Sequence, residues 1–163
     1  MNFEMILVSV IAAFFQMLAV CASIFSQIKI KKVQERIKLM LFIWVYCVIV
    51  FFFITNQLRF VTSIVVMSVL IYFVLKIKDK KVILYSFNTV ILMTIAEILS
   101  TLFLVLLGVN SVQIVNDTKY NLIANVMISI ITIILVNLPL TKFLYKKIVN
   151  IFNKKTSLVN YLY

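Results

Sequence analysis

Residues 82–107 read VILYSFNTVILMTIAEILSTLFLVLL, without a basic side chain and with a single acid, Glu97. A helix rises about 1.5 Å per residue, so this stretch alone can cross a hydrocarbon core roughly 30 Å thick. Glu97 then lies about 15 Å in from Leu107, near mid-depth. An ionisable group there costs on the order of 3 kcal/mol on insertion scales. It therefore marks a functional site or a buried packing contact.

Four more apolar stretches flank this one, at about residues 3–28, 39–55, 60–75 and 121–141. Of the 163 residues, 64% are hydrophobic and 13% charged. Soluble domains hold about 45–50% apolar and about 25% charged residues, and a fold of this size has too little interior for the excess. The fold class expected is an all-α integral membrane bundle of five transmembrane helices, occupying residues 1–141.

The connections alternate in charge. Lys29, Lys31, Lys32, Arg36 and Lys38 follow the first stretch, Lys76, Lys78, Lys80 and Lys81 the third, and Lys142, Lys146, Lys147, Lys154 and Lys155 the fifth. Only Arg59 and Lys119 fall on the other side. The positive-inside rule places the N-terminus outside and the C-terminus in the cytoplasm of a multi-pass cell-membrane protein. The first stretch is too long, and its charge follows instead of preceding, for a cleaved signal peptide. The net charge of +11 is read as orientation and contact with the anionic inner leaflet, not with nucleic acid.

Between the second and third stretches a short turn, Asn56 to Arg59, implies a helical hairpin. Gly108 suits a left-handed helix C-terminus. Val109 to Tyr120 reads as the longest loop. Beyond Pro139, residues 142–155 place Leu144, Ile148, Ile151 and Phe152 at helical spacing with lysines opposite, the pattern of a basic interfacial helix. Residues 156–163 read as a tail or the opening of a further span.

No histidine, paired carboxylates, phosphate-binding glycine loop or base-activated nucleophile is present, so neither an enzyme nor a cofactor or metal site is expected. Cys21 and Cys47 lie inside apolar stretches and read as packing residues. Transport through broken helices needs glycine and proline within spans, and the chain has one of each, near helix ends.

Polar residues inside the spans fall in one layer. Gln16 is about 16 Å deep, and Thr94, Ser100 and Thr101 lie within about 60° of Glu97 on their helix. Asn125, Ser129 and Thr132 share a face of the fifth helix, and Ser68 falls at a similar level. Glu97 is expected to face the bundle and hydrogen-bond into this layer. Two readings stand for the set Glu97, Gln16, Thr94, Thr101, Asn125, Ser129 and Thr132. One is interhelical glue at about 0.6–2 kcal/mol per bond; the other is a ligand-sensing layer.

Three features together resemble the N-terminal sensor region of Agr-type peptide-sensing histidine kinases, the GHKL-family quorum-sensing receptors of Gram-positive bacteria. They are the short-looped spans starting outside with lysine-rich inner loops; Ala96-Glu97-Ile98 leading to Leu107-Gly108-Val109-Asn110; and Asn121-Leu122-Ile123-Ala124-Asn125, then Ile128-Ser129 and Leu144-Tyr145-Lys146-Lys147. The resemblance covers Met1 to about Lys155. It implies a sensor domain for a small extracellular signalling peptide in two-component signal transduction. The peptide would be contacted by Asn56, Gln57 and Arg59 and by Asn110, Gln113, Asn116 and Asp117. The chain departs from that family in lacking the phosphoacceptor histidine, the dimerising hairpin and the ATP-binding domain. The expectation is a truncated receptor or a free-standing sensor-like protein, pairing with an intact histidine kinase or with itself. The alternative is a small membrane subunit of a transport, peptide-processing or immunity system.

Overall fold

The computed structural model describes residues 3–53, 56–77, 81–139, 141–143 and 145–150. The apolar stretches form α1 (Phe3–Gln27), α2 (Val33–Phe53), α3 (Asn56–Leu75) and α4 (Lys81–Leu106). A short α5 (Ser111–Asn116) precedes α6 (Thr118–Asn137). No strand occurs among the described residues. Three helical segments, Ile6–Gln27, Lys81–Leu106 and Thr118–Asn137, are long and apolar enough to cross a membrane; the apolar part of α3, Val61–Leu75, is shorter.

These helices turn apolar side chains outward as well as inward. On α1, Phe3, Leu7, Ile11 and Phe14 form an exposed stripe; on α3, Val61, Val65, Val69 and Phe73 do the same. A helix that is apolar all round suits a lipid surround. In water such stripes would far exceed the patches monomeric proteins tolerate.

α1 and α4 are the central pair. α1 packs against α2, α4 and α6; α4 packs against α1, α3 and α6; α2 and α3 pack against each other. The result is two lobes sharing the α1–α4 contact. α1, α4 and α6 make a triangle, and α1 to α4 in succession make a four-sided ring. Ile24, Leu39, Ile43 and Ile71, all fully buried, join Leu75 and Val82 to plug the end of the ring nearest the lysine-rich connections. Cys21 and Cys47 are buried in the same core as free thiols.

Helical structure runs further into the connections than hydropathy suggests. α2 begins at Val33, inside the expected basic loop. Arg36 makes this possible: its Nε and Nη2 donate to the Ile30 carbonyl at 3.0 and 2.7 Å, and its guanidinium lies 5.8 Å from the centre of the Phe25 ring. The expected turn Asn56–Arg59 is the first turn of α3.

Val109–Tyr120 is likewise not an open loop but α5 and the start of α6. α4 ends as expected, with Gly108 at φ 85°. The Gly108 amide donates to Val105 O at 2.9 Å and the Val109 amide to Leu104 O at 3.1 Å. This is the Schellman pairing, and Val109 completes it by packing against Leu104.

α6 starts earlier than the expected span and stops at Asn137, short of 141. Leu138 is extended (φ −62°, ψ 136°) because the ring of Pro139 disfavours helical geometry in the residue before it. Residues 141–143 and 145–150 are helical. Tyr145 meets Tyr85 of α4 with ring centroids 6.1 Å apart. Burial there, with the Tyr85 phenol beside it, pushes the Tyr145 phenol above its ordinary range. Lys142, Lys146 and Lys147 are exposed, and Ile148 is 46% exposed. Leu144, Ile151 and Phe152, on which the rest of the interfacial helix was read, and the tail 156–163 lie outside the described residues.

Candidate functional site: a polar cavity between four helices

A cavity of about 370 Å³ opens inside the four-sided ring. Gln16 and Val20 line it from α1, Tyr46, Cys47 and Val50 from α2, and Ser63 and Met67 from α3. α4 contributes Thr89, Val90, Met93, Thr94 and Glu97. Half of these twelve residues are polar, in a molecule whose helices are otherwise apolar. They fall at matched levels. Tyr46 and Ser63 each lie seven residues from the end of their helix next to the α2–α3 connection, about 10 Å along each axis. Glu97, nine residues before Leu106, lies about 14 Å in from the same side.

Specific bonds hold the walls. Tyr46 Oη and Ser63 Oγ are 2.9 Å apart and tie α2 to α3. Ser23 Oγ donates to Thr89 Oγ1 at 3.1 Å, and Gln27 Nε2 donates to the same oxygen at 3.2 Å, joining α1 to α4 below the cavity. Ser23 and Thr89 are buried to within 1%. The Gln27 Oε1 beside them is buried with no partner. A buried unsatisfied acceptor costs about 1–3 kcal/mol.

The expected polar layer divides in two. Gln16 Nε2 donates to Asn125 Oδ1 at 2.8 Å, and Asn125 Nδ2 donates to Asn121 O at 2.8 Å and Asn121 Oδ1 at 3.0 Å. Ser129 Oγ reaches the Phe15 carbonyl of α1 at 2.6 Å. Thr132 Oγ1 bonds Ile128 O at 2.7 Å and touches Met93 Sδ at 3.7 Å. These four residues are the seam of α1, α4 and α6. Ser100, buried, belongs with them through a 3.2 Å bond to Ala124 O. Among the described residues Ser68 bonds its own helix, at Ile64 O.

Glu97, Thr94 and Thr101 are the other part. Thr94 Oγ1 donates to its own helix at Val90 O. Glu97 is exposed, and no hydrogen bond or ion pair to it is found among the described residues. This differs from the expectation that it bonds into the layer. The reason is angular: Ser100 lies roughly 60° to one side of Glu97 and Thr94 roughly 60° to the other. That is enough to send Ser100 into α6 and leave Glu97 on the cavity wall. Glu97 also borders a shallower groove along α4 with Thr94, Ile98, Thr101, Leu102 and Val105.

No protein family, curated protein or solved structure matches this chain. What it can do is argued from the site itself.

The residues expected to contact a peptide have local duties. Asn110 caps α5 through its side chain, and Gln113 completes a reciprocal capping box. Asp117 caps α6 by accepting from the Lys119 amide at 2.9 Å. Capping of this kind contributes about 1 kcal/mol each. Asn116 is exposed. For Asn56, Gln57 and Arg59 the backbone is helical, and their side chains lie outside the described residues.

Sequence reasoning missed Ser23, Gln27, Tyr46, Ser63 and Thr89. The i,i+4 spacing of Ser23 and Gln27 on one helix face was the one available signal. Tyr46 and Ser63 carry none, because each is defined by a partner on another helix. Among the described residues no three His, Cys, Asp or Glu side chains come together as a metal site. The cavity offers hydroxyls, an amide, a thiol and one carboxyl.

Proposed function

We propose that this chain is a receptor-like membrane domain for a small signalling peptide arriving from outside the cell, of the quorum-sensing type, crossing the membrane five times with its N-terminus outside. The observation that carries this reading is the cavity. Half of its lining residues are polar, it is bordered by an acid with no partner among the described residues, and it has the volume of small-ligand sites, about 300–1,000 Å³. The segregation of lysines and arginines supports the orientation, which turns the Glu97 half of α4 outward. The resemblance to Agr-type sensor regions supports the ligand class. In that reading α1 and α4, shared by both lobes, carry an occupied cavity to the lysine-rich connections. The exposed α4 groove favours a second reading, a subunit whose partner helix covers Glu97 and Thr101.

Cysteine labelling tests the proposal. With Cys21 and Cys47 replaced by alanine, Ser63→Cys is expected to react with a membrane-impermeant maleimide added to intact cells. Lys147→Cys is expected to react only after permeabilisation. The peptide fraction of spent medium from the producing cells should protect Ser63→Cys. Labelling with the reverse sidedness, or without protection, overturns the receptor reading.

A further inference from the structure

We infer that the cavity takes the positively charged amino end of an apolar peptide, with the ammonium group on the Glu97 carboxylate. This deepens the receptor reading and rests on it.

Glu97 is the one carboxyl among the residues lining the cavity, and no lysine or arginine is among them. The described lysines and Arg36 lie at helix ends or in connections, away from the cavity lining. An ion pair, Lys32–Glu35 at 3.8 Å, lies near the opposite end. A carboxylate in an apolar surround is stabilised by a single opposite charge and by nothing else as strongly. An anionic lipid headgroup would be repelled. A divalent metal would need several ligands where there is one. A neutral apolar occupant would give the carboxylate no opposite charge to pair with.

Depth decides which kind of cation fits. Glu97 lies about 14 Å along α4 from its outer end. An extended peptide spans about 3.3–3.6 Å per residue, so roughly four residues cover that distance. An N-terminal amine leading an apolar segment satisfies both facts. Val50, Met67 and Val90 then meet its side chains along the cavity wall.

Arg59, in the first turn of α3, is the rival cation. Its side chain is not described, so the test includes it.

The full chain in lipid nanodiscs is titrated with the peptide Ala-Leu-Ala-Leu amide, with its free amine or N-acetylated. The free amine is expected to bind at least tenfold more tightly. Glu97→Gln is expected to remove that preference by weakening binding of the free amine; Glu97→Asp should retain part of it. If both peptides bind equally and Glu97→Gln changes nothing, the cation inference fails and the cavity reading survives. Thr89→Phe and Ser63→Phe, which narrow the cavity from separate walls, should each abolish binding of both peptides. If neither does so in folded protein, the cavity is not the site and the receptor reading fails with it. If Glu97→Arg is rescued by Arg59→Glu, the acid serves an internal ion pair and the inference is overturned.

Discussion

Ser129→Phe is expected to destabilise the protein by about 3 kcal/mol, the upper part of the range for overpacking a filled core. Unfolding of the purified protein in mixed micelles by a denaturing detergent would measure it. Ser129 is 3% exposed, and its hydroxyl lies 2.6 Å from the backbone carbonyl of Phe15. A side chain that touches the neighbouring backbone leaves no room for a ring. Close approach is built from small residues. Ala12 and Ala19, both fully buried, fall on the Gln16 face of α1, and α6 supplies buried Ala124. In lipid, helices associate through such packing and through hydrogen bonds, since hydrocarbon is no less apolar than the protein interior. Ser129→Ala keeps the fit and loses one bond, so it should cost only about 0.6 kcal/mol. Similar losses for the two variants would mean that α1 and α6 are not in contact here. Because α1 walls the cavity as well, Ser129→Phe should also weaken binding of the proposed peptide, from the far side of Gln16.

Ile71→Ala is expected to cost about 2 kcal/mol, and Val69→Ala almost nothing. Both side chains are apolar and two residues apart on α3. Ile71 is fully buried in the plug, whereas Val69 is 47% exposed on the outer face. In a water-soluble protein a truncation such as Ile71→Ala costs about 2–5 kcal/mol, from lost transfer energy plus the void. In a membrane the unfolded helices remain in lipid, so most of the transfer part disappears. The void remains, because the neighbouring Ile24, Leu39 and Ile43 lose their contacts. The difference between the two variants therefore measures packing alone. Equal costs would place both residues in the same surround and dissolve the distinction between plug and outer face. Ile71→Ala should also deepen the floor of the cavity, raising its tolerance for bulkier ligands.

The number and type of the long helices were legible from residues alone. Five apolar runs became five long helices, and Gly108 ended α4 in the left-handed conformation its lack of a side chain allows. Helix ends were less legible. Hydropathy marks where charge begins, and backbone hydrogen bonding continues past that point, as Arg36 and the capping box at Asn110 show. The site was half legible. Counting along α4 marked Glu97, Thr94 and Thr101. Counting could not tell that Asn125, Ser129 and Thr132 turn away from Glu97 into a separate seam.

Sequence by itself determined a helical, lipid-suited chain with a lone carboxyl at mid-helix and basic residues segregated between its connections. These are properties of composition and order along one dimension, and no neighbour is needed to read them. Only the tertiary structure decided which helices meet. It made α1 and α4 the common pair, left the ring of α1 to α4 open around Glu97, and closed the triangle with α6. The physical reason is that apolar helices present almost the same surface on every side. Partner choice then rests on small-residue fit and a few bonds such as Gln16 to Asn125, whose two halves lie 109 residues apart.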